Sequence, residues 1–104
     1  MSAIVIYCTC PDIETAQRIS RLAVEQRLAA CINQIPGITS IYTWDGNIQQ
    51  DQEVLLIVKT IEERFDDFQK LVNDEHPYDL PEIIALPVTQ GSPDYLDWIK
   101  QCTK

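Results

Sequence analysis

The pair Asp45-Gly46 narrows the possible folds more than any other feature of this chain. An Asp-Gly pair between two β-forming runs signals a two-residue hairpin, because both turn positions need a positive φ. The arms it joins are long. One runs from Leu28 to Trp44, with a bulge or bend expected at Pro36-Gly37. The other returns from Ile48 to Lys59 and contains VLLIV, apolar on both faces. At ~3.3 Å per residue a 12-residue arm spans roughly 40 Å. A domain of 100 residues has a radius of gyration of only about 13 Å. Such a hairpin must curl or project beyond its own body. With Ile38, Ile41, Tyr42 and Trp44 near its tip, it is a liability unless another subunit covers it.

The other elements fall around the hairpin. Ala3–Cys10 alternates two largely apolar sets, Ile4, Ile6 and Cys8 against Val5, Tyr7 and Thr9. That reads as a central strand covered on both sides. Asp12 is a good N-cap for a helix to Arg27, with Ile13, Ala16, Ile19 and Ala23 on one face. Thr60 and Glu63 fit a capping box, which predicts a helix placing Ile61, Phe65, Phe68 and Val72 together and ending near Asp74. In His76–Val88, HPYDLPEIIALPV, Pro77 and Pro81 push the preceding residues out of helical geometry. This is a stiff entry into a strand, Glu82–Val88, flanked by prolines as an edge strand would be. Ser92 and Pro93 open a last helix, with Tyr95, Ile99 and Cys102 on one face.

The order β-α-β-β-α-β plus a terminal helix is the ferredoxin-like split βαβ arrangement, an α+β fold with an antiparallel sheet and helices on one face. A single domain over 1–104 is expected from the length of 104 residues. Strands one and three are apolar on both faces, yet the helices protect one. The expectation is a homo-oligomer built through its sheets.

A net charge of -8, with only 8 Lys and Arg scattered along the chain, disfavours nucleic-acid binding. No apolar stretch approaches the ~20 residues that span a bilayer. No basic-then-apolar leader is evident, so a soluble, cytoplasmic protein is expected, or one targeted by a segment outside this sequence. The four cysteines, Cys8, Cys10, Cys31 and Cys102, show no CxxC spacing and read as thiols. One histidine, three glycines and no G-x-S-x-G motif make a poor hydrolase, and no enzyme is expected.

Five segments in the same order, RLAACIN (Arg27–Asn33), IPGITSIYTWDG (Ile35–Gly46), EVLLIVKT (Glu53–Thr60), HPYDLPEIIALPV (His76–Val88) and YLDWI (Tyr95–Ile99), resemble the CutA divalent-cation tolerance proteins across essentially the whole chain. The resemblance implies a ferredoxin-like subunit in a tight homotrimer, linked to tolerance of copper (Cu2+) and other divalent cations. It places the family's proposed copper ligands at Cys8 and His76. Where some members carry a second histidine, this chain has Glu75, an oxygen ligand that hardens the site. Topology agrees in part: strand one and the second helix run toward the same end, so Cys8 and His76 belong at one end and Cys31 at the other. A thiolate and an imidazole suit copper or zinc. A second candidate is a pocket at a subunit junction, lined by Tyr42, Trp44, Glu53 and Lys59. It supports the alternative function, a trimeric signalling or scaffolding module similar to the PII proteins that binds a small molecule or protein partner.

Overall fold

A computed structural model describes residues 2–104. Among them the chain forms β1 (Ala3–Cys10), α1 (Ile13–Glu25), β2 (Cys31–Trp44), β3 (Asn47–Ile61), a 3-10 turn at Glu62–Arg64, α2 (Phe65–Glu75), β4 (Ile83–Pro87) and α3 (Pro93–Cys102). The strands form one antiparallel sheet in the order β2-β3-β1-β4. This is the expected ferredoxin-like order.

The hairpin turns as its sequence requires. Asp45 and Gly46 both have positive φ, 50° and 77°, and Trp44 pairs directly with Asn47. That is the type I′ conformation whose twist matches the flanking strands. The register of β2 on β3 shifts between Ile35 and Ile38, where Gly37 adopts φ 75°. Pro36-Gly37 is therefore a bulge. The molecule measures 44 × 25 × 22 Å, elongated as a projecting hairpin demands.

Strand alternation assigns the two sheet faces. Ile4, Ile6, Cys8 and Cys10 of β1 and Val54, Leu56 and Val58 of β3 meet Ala16, Ile19 and Ala23 of α1 and Phe68 and Val72 of α2. On the opposite face, direct pairing aligns Leu86, Val5 and Lys59 in one row and Ile84, Tyr7 and Ile57 in the next. Only its far end is covered. There Ile99 of α3 packs with Ile61 and Ala30. The middle of this face stays open, with Ile84 53% exposed.

Several boundaries differ from the sequence reading. The first helix stops at Glu25, because Arg27 takes a positive φ of 61° to start the return toward β2. Ile13 is exposed rather than packed with Ala16 and Ile19. The capping box does not form. β3 continues to Ile61, and the Thr60 hydroxyl instead donates to the Leu28 carbonyl at 2.7 Å in the core. Ser92 makes no side-chain cap. On the last helix it is Ile99 that is buried, while Tyr95 is exposed.

Thr60→Val should lower the unfolding free energy by about 1–3 kcal/mol, since it strands a buried carbonyl. Glu63→Ala should stay within about 0.5 kcal/mol, as for a surface change. Urea denaturation at fixed protein concentration checks both, and a reversed order would restore the capping box.

Candidate functional site

Pro77 shapes the site locally. It holds His76 at ψ 137°, extended, so α2 ends there and the imidazole turns back onto the sheet. His76 Nε2 lies 2.7 Å from the Thr9 carbonyl oxygen, and the Tyr78 backbone N–H donates to Nδ1 at 3.1 Å. A carbonyl only accepts and an N–H only donates, so the proton sits on Nε2 and both ring nitrogens are engaged. The ring is buried and meets Tyr78 edge-on, centroids 4.8 Å apart.

The expected metal donors stand near one another without forming a ligand set. Cys8 and Cys10 flank Thr9 in sequence, and both are fully buried on the helix-covered face. A hydrogen bond with Cys10, then burial, holds the Cys8 thiol far above its ordinary range, so it stays protonated. The Glu75 carboxylate is drawn to Arg18 on α1, Nε to Oε1 3.1 Å, while Arg18 also donates to the Glu75 carbonyl. As arranged within one subunit, these residues do not fit a metal ion. Among the described residues, no group of three or more His, Cys, Asp or Glu side chains is placed to hold one. Cys31 lies in the row of Val5 and Lys59, on the other face from Cys8 and toward the other end.

The second candidate gathers more closely. A cleft of about 740 Å³ opens at the hairpin end of the uncovered face. Tyr42, Trp44 and Glu53 line it. Lys59 does not. It sits roughly 20 Å further along β3 at ~3.3 Å per residue, bonded to Asn33. In its place the loop after His76 contributes Tyr78, Asp79 and Glu82. Strand alternation could have revealed Glu82, since it precedes Ile83, the partner of Cys8.

The cleft is electronegative. The Tyr42 hydroxyl donates to Asp51, and that bond pushes its phenol up to about 12. Burial and then the charge of Glu53 raise Tyr78. The same two causes, in the same order, raise the Glu82 carboxyl above its ordinary value.

An antiparallel βαββαβ subunit with an overlong hairpin and a terminal helix defines the structural class. Within it, residues 4–102 match the model of the family described as CutA1 divalent ion tolerance protein. A divalent-cation tolerance protein from Thermus thermophilus is 48% identical over 95% of this chain and 96% of its own length. A chloroplastic relative from Arabidopsis thaliana is 45% identical over 98% of this chain, which spans 56% of that longer protein. The crystal structure of CutA1 from Oryza sativa superposes with a TM-score of 0.97 at 43% identity, covering 100% of this chain and 95% of the other. The chain belongs to the CutA1 divalent ion tolerance family. Among the described residues no helix is long and apolar enough to cross a membrane.

Glu82→Gln should stabilise the protein at neutral pH. A carboxyl with a raised folded-state pKa costs nothing below the unfolded value of 4.5. Above it the unfolded chain releases the proton first, and stability falls as pH rises through the folded pKa. The gain from Glu82→Gln should therefore shrink as pH falls and vanish by about pH 4. Urea titrations of both proteins across this range check it.

Proposed function

We propose that this protein serves divalent-cation tolerance as a non-enzymatic, cytoplasmic homotrimer, and that it handles copper or a similar divalent ion at the end of the subunit where His76 meets β1. The contact from His76 to the Thr9 carbonyl supports the cation part, since it brings the chain's one imidazole beside the strand carrying Cys8 and Cys10. The family match supports the link to cation tolerance. The open apolar face around Tyr7, Ile57 and Ile84 supports assembly through sheets, because exposed patches of this kind mark interfaces.

The geometry sets a cost on metal binding. An ion at His76 must displace either the Thr9 or the Tyr78 hydrogen bond, and Glu75 must leave Arg18. Cys8 joins only if it loses a proton that its surroundings hold firmly. Binding should therefore be modest, with imidazole as the first ligand. Calorimetric titration with Cu2+ should show saturable binding that weakens at least about tenfold in His76→Ala, a loss of ~1.4 kcal/mol. Unchanged affinity in that variant would remove His76 from the site.

A further inference from the structure

The cleft at the hairpin end contains a carboxylate that nothing in the subunit neutralises. Glu53 is 7% exposed and lines the cleft. No Lys, Arg or His lines the cleft beside it, and among the described residues the one ion pair is Arg18–Glu75, elsewhere. The Tyr78 hydroxyl bonds to Glu53, whose charge also acts on Tyr42, Cys8 and the Glu82 carboxyl, none of them a cation. A buried carboxylate without a cation is costly, and such charges are ordinarily paired. The rest of the cleft describes what would pair with it. Three aromatic side chains, Tyr42, Trp44 and Tyr78, form its walls. Aromatic faces attract cations, most strongly when the cation is desolvated.

We infer that the cleft between the hairpin and the loop after His76 binds a small organic cation, a protonated or quaternary amine, with Glu53 and Glu82 as counter-charges and Tyr42, Trp44 and Tyr78 as its aromatic walls. A bare metal ion suits it poorly. Hard divalent ions such as Ca2+ take 6–8 oxygen ligands at close range. Here two glutamates and Asp79 stand among aromatic rings in about 740 Å³, a volume typical of small-molecule sites. Soft metals want sulfur or imidazole. The one imidazole nearby has both nitrogens engaged elsewhere.

The inference is independent of copper binding at His76, and a different ligand tests it. Choline and putrescine are titrated against the protein, following tryptophan fluorescence and heat, with 3,3-dimethyl-1-butanol as the uncharged counterpart of choline. At least one ammonium compound should bind saturably, with the neutral compound at least about tenfold weaker. Glu53→Gln should weaken ammonium binding about tenfold or more, and Trp44→Ala should also weaken it. Sedimentation of each variant establishes that assembly is intact. If Glu53→Gln fails to fold, Glu82→Gln takes its place. Three results would overturn the inference: no saturable binding of either amine, equal binding of the neutral compound, or amine affinity unchanged in the folded carboxamide variant. The first of these is also the outcome expected if a cationic side chain of a second copy already fills the cleft.

Discussion

Strands β1 and β3 have two apolar faces, and the fold supplies helices for only one of them. The rest of the structure is organised by that constraint. Side chains alternate with a period of two along a strand, so a strand apolar throughout must be covered twice. α1 and α2 cover the face of Ile6, Leu56 and Val58, and these side chains are fully buried. α3 reaches only the end of the other face, at Ile61. Val5, Tyr7 and Ile57 are left only partly buried by their own chain, and Ile84 stays 53% exposed. A chain of this length buries roughly 65% of its surface on folding, less than a larger domain does.

The same geometry separates two chemistries that the sequence places close together. The stretch after α2 carries His76 and, six residues on, Glu82. His76 turns inward and spends both ring nitrogens on the backbone, tying the end of α2 to the end of β1. Glu82 turns to the open face and joins Glu53 across the end of β1. One site is compact and internally satisfied. The other is an open acidic cleft with aromatic walls. A metal ion and an organic cation would therefore meet very different resistance: the first must break existing hydrogen bonds, the second adds a missing counter-charge.

The fold was largely legible in the sequence because its strongest signals are local. Asp45-Gly46, Pro36-Gly37 and His76-Pro77 act through the φ and ψ of single residues, and all three adopt the expected geometry. Asp12 caps α1 through Thr15 at 2.8 Å for the same reason. Thr60 failed as a cap because a core carbonyl, Leu28, competes for its hydroxyl, and only tertiary structure brings the two together. The site was partly legible. Topology placed Cys8 and His76 at one end, but not the tautomer or the protonated thiol, which depend on three-dimensional neighbours. Lys59 enters the expected junction pocket as a charge bounding the same apolar strand as Glu53. Within one subunit strand length separates it from Glu53, since the two residues stand at opposite ends of that run, so only the Lys59 of a neighbouring copy could meet that cleft.

Assembly through the open sheet face is the central claim, because it accounts for both the uncovered strand face and the projecting hairpin. Sedimentation velocity at micromolar concentration tests it most directly. The expected particle has three times the 11.9 kDa mass of the chain and persists on dilution. A stable species at the single-chain mass would contradict the account.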